Sequence, residues 1–491
     1  MKNFSLILLT TFLLFSCGDY AGDEMSISGG LYYESDDVPS SGDQYAEIIE
    51  NPFVEVSEEP ISTFSIDADG AAYANMRRYI QEDNIIPPKN AIRTEEFINY
   101  FDLDYEYNSS EHPISLNGEV ATCPWETSHK LIRIGIQGKP LEEQLPLSNF
   151  VFLIDVSGSM SSEDKLELLK GGFKSFVDQM RPNDRIAIVT YAGSDKVVLQ
   201  STPGTEKSKI HLAINELGSG GSTAGAKGII TAYEIAEQNF IEGGNNRIIM
   251  GTDGDFNVGP SSTEELIELI EEKRASGVFL TAIGVGRGNL NDASLEQIAN
   301  HGNGTFEYVD NIKQLQKVFI YEQSKFFTVA KDVKVQVEFN PALVQSYRLI
   351  GYENRVLENE DFENDSTDAG EIGADQNITA LYEIIPQNSS PEARQAPTFK
   401  IDFRYKMPDG DTSIPMSLDI LDLDRSFAES SAQMQFTSAV ASFALQLRDS
   451  EYKGSSNLED VISWVESANL NDAYGFKEEF RKLVIKAQGI Q

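Results

Sequence analysis

The 491-residue chain is long enough for about two to four domains, and its 40% hydrophobic content can bury sizeable cores. Its 78 Asp plus Glu against 39 Lys plus Arg give a formal charge of −39, which excludes nucleic acid as the main partner because phosphate binding needs clustered positive charge. Two cysteines and four histidines exclude a disulfide framework and a Cys/His zinc site of the usual ligand count.

Lys2 precedes the apolar run Phe4–Phe15, which is too short to span a bilayer but suits the apolar region of a signal peptide. The run ends in Leu14-Phe15-Ser16-Cys17. A small residue before a cysteine, after such a run, resembles a bacterial lipobox, in which Cys17 becomes the lipidated first residue of the mature chain. The alternative is an ordinary signal peptide with an incidental cysteine. Residues 1–16 are then the signal peptide, and 17–51, acidic and rich in Gly, Ser and Asp, a flexible tether lifting the protein off a membrane. Cys123 reads as a buried, small apolar side chain. No later stretch is long and apolar enough to span a membrane.

Residues 52–110 form an N-terminal α+β segment. A short strand is predicted at Phe64–Ile66, with helices over Ala71–Ile80 and Arg93–Phe101 on either side of the Pro87-Pro88 break. Residues 111–147 turn strand-like, most clearly in the alternation of Lys130–Ile136. Over 148–325 strands alternate with helices. Phe150–Ile154 and Arg247–Met250 are continuous apolar runs, the mark of strands covered on both faces. Leu166, Leu169, Phe173, Phe176, Val177 and Met180 follow at helical spacing. Ser262 with Glu265 reads as a capping box for a helix that Gly277 stops, and Asp310 as the cap of a last helix to about Ser324. Residues 326–425 alternate as antiparallel strands (Val333–Phe339, Leu381–Ile385, Phe399–Tyr405), interrupted by an acidic stretch, Glu358–Asp375, expected to be a mobile loop. Residues 426–491 return to helical spacing. The predicted fold class is α/β: a doubly wound, mostly parallel sheet inserted in a β-sandwich-like domain built from 111–147 and 326–425, with a helical C-terminal region.

Ligands in open α/β sheets bind beyond the carboxyl ends of the strands. There Phe150–Ile154 runs into Asp155-Val156-Ser157-Gly158-Ser159, which places three oxygen side chains in one tight loop. The loop Gly220–Gly225 offers the Thr223 hydroxyl, and Gly251–Asp255 offers Asp253. Three hydroxyls and two carboxylates, with no nitrogen or sulfur, suit Mg²⁺ and also Ca²⁺ or Mn²⁺. They would leave the ion electrophilic, so that a carboxylate from outside completes its shell.

Asp155-x-Ser157-x-Ser159, with Thr223 and Asp253 on later loops, resembles the metal-ion-dependent adhesion site of von Willebrand factor type A domains. The resemblance implies Ser157, Ser159 and Thr223 as direct ligands, and Asp155 and Asp253 as direct or water-mediated ones. Thr63–Asp67, Ala72–Arg78 and Arg93–Phe101 are similar to the N-terminal segment of a bacterial family of type A lipoproteins. Phe443–Arg448 and Ala473–Phe476 are similar to that family's C-terminal domain of unknown function.

Competing motifs are weaker. Asp67-Ala68-Asp69-Gly70 begins like a calcium loop but lacks its later acidic positions, and reads as a surface turn. Gly284-Val285-Gly286-Arg287-Gly288 misplaces the third glycine of a dinucleotide fingerprint and reads as a strand-end turn. His112, His129, His211 and His301 lie in no motif that would set a base beside Ser157 or Ser159, and read as surface positions. The expected function is therefore non-enzymatic. It is a cell-envelope lipoprotein, membrane-anchored on the bacterial outer membrane or periplasmic face, that binds a partner protein's Asp or Glu carboxylate through the ion. A metal-assisted hydrolase, and a structural lipoprotein with a fold-stabilising ion, stay open as alternatives.

Overall fold

The computed structural model describes residues 42–67, 69–141, 146–192, 194–221, 225–254 and 263–490. Cys17, the signal peptide, most of the tether, Thr223, Asp255 and Ser262 lie outside them. In chain order the first elements are strands β1 (Val54–Glu55) and β2 (Ile61–Ser65), helices α1 (Ala71–Arg78) and α2 (Thr94–Asn99), and strands β3 (Ile114–Thr122) and β4 (Lys130–Gly138). The α/β unit runs β5 (Ser148–Asp155), α3 (Leu168–Gln179), β6 (Arg185–Tyr191), β7 (Asp195–Pro203), α4 (Lys207–Asn215), α5 (Gly225–Gln238), β8 (Asn245–Thr252), α6 (Thr263–Arg274), β9 (Phe279–Val285), α7 (Asp292–His301), β10 (Phe306–Val309) and α8 (Ile312–Gln316). Then come β11 (Thr328–Phe339), β12 (Val344–Ile350), β13 (Val356–Leu357), β14 (Gly370–Gly373), β15 (Asn377–Pro386), β16 (Phe399–Lys406) and β17 (Ile414–Ile420), and helices α9 (Ala432–Leu447), α10 (Leu458–Ser467) and α11 (Phe476–Gln488).

The α/β unit is a sheet of order β10-β9-β8-β5-β6-β7, parallel throughout except for antiparallel β7 at one edge. Every residue of β5 is buried. Its side chains alternate across the sheet: Val151 and Leu153 join one layer with Ile229 and Tyr233, and Phe150, Phe152 and Ile154 join the other with Phe173 and Phe176. A strand buried on both faces cannot alternate apolar with polar, hence the continuous apolar run. The edge strand β7 has no counterpart among the predicted elements. Half exposed and mostly polar outside Val197–Leu199, it lacks both the apolar run and a strict alternation.

The chain leaves the β module at Gly138 of β4 and re-enters it at Thr328 of β11, so the α/β unit is an insertion. Two antiparallel sheets, β1-β12-β15-β4-β3 and β13-β2-β11-β16-β17, enclose a core that includes Phe64, Ile134, Val335, Tyr382 and Phe403. The N-terminal segment serves two modules. β2 pairs with β11, while α1 and α2 bury Tyr73, Phe97 and Phe101 against Phe436, Phe443 and Phe480 of the C-terminal helices.

Buried ions join these parts. Arg77 of α1, fully buried, meets Asp310 beyond β10 at 2.5 Å and Glu479 of α11 at 2.8 Å. This corrects the reading of Asp310 as a helix cap. Asn311 caps α8 instead, its side-chain oxygen accepting from the Gln314 N–H at 3.0 Å. The helix expected to reach Ser324 breaks into α8, a wide turn at Lys317–Tyr321 and a tight turn at Gln323–Phe326.

Two further expectations are overturned. Asp67 and Asp69 are each only 3% exposed, so the Asp67–Gly70 stretch is no surface turn. Asp67 accepts from Arg355 Nε at 3.0 Å, and Asp69 accepts from the Phe306 N–H at 3.0 Å. A sheet edge has unpaired backbone donors, and here a carboxylate satisfies one on β10. The Glu358–Asp375 stretch is also built into the fold: Asn359–Phe362 forms a tight turn that buries Phe362, and β14 pairs with β11. Lys334 donates to the Asp361 carbonyl at 3.0 Å and holds the loop's start.

Arg93 pairs with Glu96 and Asp292, whereas Glu95, 1% exposed, has the acids Glu353, Asp67 and Glu96 beside it. Burial first, then those negative charges, push its carboxyl well above the ordinary range. A folded value above the unfolded one, near 4.5, gives stability that is complete below that pH and is lost as pH rises toward the folded value. Glu95→Gln, which mimics the neutral form, should gain on the wild type from pH 5 to 7.5, by up to about 1.4 kcal/mol per pH unit in urea unfolding. A gap between the two that stays constant with pH would contradict this.

Candidate metal site

Parallel pairing of β5 with β8 sets Ile154 beside Gly251, so the chain segments beyond both strands emerge at one rim. Asp155 ends β5, and Asp253 follows β8 directly. Both carboxylates are buried. The loop after Asp155 is stitched to its neighbours by backbone bonds: Val156 N–H to Tyr191 at 3.1 Å, Gly220 N–H to Val156 at 2.7 Å, and Gly158 N–H to Gly221 at 3.2 Å. Gly221 takes φ +107°, a backbone that L side chains rarely adopt, and it is this residue that meets Gly158.

Within the loop, Asp155 Oδ1 accepts from the Ser157 N–H at 2.8 Å and Oδ2 from the Thr252 hydroxyl at 3.1 Å. The Ser157 and Ser159 hydroxyls lie 2.9 Å apart. Burial pushes the Asp155 carboxyl up to about 6; the Ser157 hydrogen bonds oppose this and the Asp253 charge adds to it. Asp253 behaves oppositely. Burial would raise it, but hydrogen bonds from Asn289, Lys165 and Ser159, with the Lys165 charge, hold it below the ordinary carboxylate range.

Asp155, Ser157, Ser159 and Asp253 are thus brought together, while Thr223, the fifth expected ligand, lies outside the described residues. All four donors are hard oxygens, the set that Mg²⁺, Ca²⁺ or Mn²⁺ takes. Among the described residues, no three His, Cys, Asp or Glu side chains gather into a metal cluster. The site therefore rests on its hydroxyls as much as on its acids. The histidines lie elsewhere: His112 bonds to Tyr405, His129 to Glu383 and His301 to Glu271, and His211 lies beside Asp178.

Two residues of the site escaped the motif reading. Lys165 Nζ donates to Asp253 Oδ2 at 3.0 Å and to Asn289 Oδ1 at 2.8 Å. Lys165 lies four residues before Leu169 and eight before Phe173, on the inward register of the helix, and a lysine in a core register is a legible signal. Asn289 lies just beyond the glycine-rich turn after β9, and no periodicity marks it.

Family models match this chain in three stretches: "von Willebrand factor" over 39–133, "von Willebrand factor type A domain" over 149–320, and "Uncharacterized protein YfbK, C-terminal" over 324–490. The uncharacterized protein YfbK of Escherichia coli K12 is 39% identical over 471 residues, covering 91% of this chain and 81% of that one. The chain belongs to the YfbK family. Its α/β unit is the von Willebrand factor type A domain. Inter-alpha-trypsin inhibitor heavy chain H3 of Bos taurus is 32% identical over 184 residues, which are 35% of this chain and 20% of that protein. A solved von Willebrand factor type A structure from Catenulispora acidiphila is similar at 15% identity and TM-score 0.43 over 77% of this chain and 91% of that one.

The turn after β9 shapes the Lys165 groove. Gly286 has φ +77°, and a Cβ there would sit 2.3 Å from Lys165 Cε. Gly286→Ala should therefore displace the lysine and cost about 1–3 kcal/mol in chemical denaturation. An unchanged midpoint would show that the groove yields freely.

Proposed function

We propose that this YfbK-family chain binds a divalent cation, Mg²⁺ foremost with Ca²⁺ or Mn²⁺ as substitutes, in the oxygen site of its type A domain. A partner protein supplies an Asp or Glu oxygen that completes the shell. The observation that carries this reading is the convergence of Asp155, Ser157, Ser159 and Asp253 at one strand-end rim, with the two serine hydroxyls 2.9 Å apart. Thr223 is the proposed fifth ligand. The role in this reading is binding rather than catalysis; the histidines among the described residues have their partners away from Ser157 and Ser159. Lipidation at Cys17 would hold the protein in the bacterial envelope, with the acidic tether as spacer. No helix among the described residues is long and apolar enough to cross a membrane.

Isothermal titration of Mg²⁺ into the purified chain, with Asp155→Ala beside it, tests the ion. The variant should bind about 10–100-fold more weakly while its circular dichroism is unchanged. Equal affinity would remove Asp155 from the site. Crosslinking on intact cells and affinity capture, with and without EDTA, tests the partner. Capture that persists in EDTA and with Asp155→Ala would refute ion-dependent recognition. A melting temperature that EDTA lowers, with no EDTA-sensitive capture, would instead leave the ion a structural role.

A further inference from the structure

Lys165 is a cation built into the proposed cation site. Its side chain is 8% exposed, and its ammonium lies 3.0 Å from Asp253 Oδ2. The residue sits on a wide turn, Glu163–Glu167, that opens into α3, in register with the core residues Leu169 and Phe173. A buried ammonium is tolerated only when paired, and Asp253 is the partner here. Its stem fills the groove that Gly286 leaves open.

The loop that holds Lys165 is itself pinned. Asn289 accepts from the ammonium at 2.8 Å. On either side of Asn289, the Gly288 and Leu290 N–H groups donate to Asp43 at 2.8 and 3.1 Å. The Asp43 side chain is fully buried and also meets Arg78 at 2.8 Å. Gln44 bridges to Asn291 in parallel, and a Cβ on Gly254, next to Asp253, would lie 2.5 Å from the Asn291 backbone nitrogen. The ammonium is therefore fixed on Asp253 from both ends.

On the proposed ion site, and resting on that reading, we propose that Lys165 is a specificity-determining residue: a resident cation that competes with the divalent ion for Asp253 and leaves the bound ion incompletely neutralised, so that the open position selects an anionic oxygen ligand. Two carboxylates alone would cancel a divalent ion. With the ammonium beside them, a positive charge is left over, and a carboxylate is the chemistry that answers it.

The test uses the full chain, with free Mn²⁺ followed by electron paramagnetic resonance and acetate as the carboxylate probe. Lys165→Met removes the charge, Lys165→Gln removes it while keeping an N–H for Asp253, and Lys165→Arg keeps the charge. Lys165→Gln carries the test where Lys165→Met does not fold. The neutral variants should bind Mn²⁺ on the order of tenfold tighter than wild type, with Lys165→Arg near wild type. Excess acetate should tighten Mn²⁺ binding more in wild type than in Lys165→Gln. Without ion, Lys165→Gln should melt lower than wild type, and Mn²⁺ should raise it by the larger increment. Neutral variants that bind Mn²⁺ no tighter than wild type, or an acetate effect equal in both, would overturn the proposal. Failure of the underlying reading looks different: wild type would not bind, or would bind equally well as Asp155→Ala. Binding by Lys165→Gln where wild type shows none would still support the competition, and binding by neither would overturn it.

Discussion

The architecture depends on one constraint, the parallel pairing of β5 with β8. Parallel neighbours send their carboxyl ends the same way, so Asp155 and Asp253, nearly a hundred residues apart along the chain, arrive at one rim. Antiparallel pairing would put them at opposite ends of the sheet. The pairing is affordable only because both faces of β5 are covered: Phe152 stacks on Phe173 with ring centroids 4.1 Å apart, and Leu153 packs on the opposite layer. The same burial that secures the strands takes the two carboxylates out of water. That is why one is pushed up to about 6 while the other is held down by Asn289, Lys165 and Ser159.

The modules around the α/β unit do more than carry it. Its β10 edge, which would otherwise offer unpaired donors, is met by Asp69, and α1 packs along it through Ala71 and Ala74. Arg77 ties the same helix to Asp310 and, through Glu479, to the C-terminal region. From the tether side, Asp43 and Gln44 dock on the turn that holds Asn289. The end of the stretch expected to be a flexible tether is thus built into the fold, and touches the same loop as Lys165. The cost is a core crowded with acids, of which Glu95 and Glu371 are both pushed well above the carboxylate range by burial.

Much of this was legible in the amino acids. Continuous apolar runs at Phe150–Ile154 and Arg247–Met250 identify strands covered on both faces, and strict alternation at Val333–Phe339 identifies a half-solvated sheet. The short spacing of Asp155, Ser157 and Ser159 points to the proposed site, three oxygen side chains gathered at one strand end. What could not be read locally is what distance in the chain conceals. Arg77 and Glu479 are 402 residues apart, and Asp69 finds the Phe306 N–H 237 residues away, so no window contains both partners. Asp310 shows how a sound local rule loses. Its neighbour Asn311 caps equally well, and the aspartate serves a buried arginine that nothing nearby announces. Lys165 was visible as a charge in a core register, but its purpose appears only once β8 and the turn after β9 close around it. Cys17 and Thr223, on which the anchor and the fifth ligand depend, lie outside the described residues.

The central claim is that oxygens from separate strand ends grip one hard ion. Crystals of the full chain soaked in Mn²⁺, with an anomalous difference map at the manganese edge, test it most directly. The account predicts a single strong peak within ligand distance, about 2.0–2.2 Å, of the Ser157 and Ser159 hydroxyls, with Asp155 and Asp253 reaching it directly or through water. A map without that peak, with the two serine hydroxyls still bonded to each other and Lys165 alone on Asp253, would contradict it.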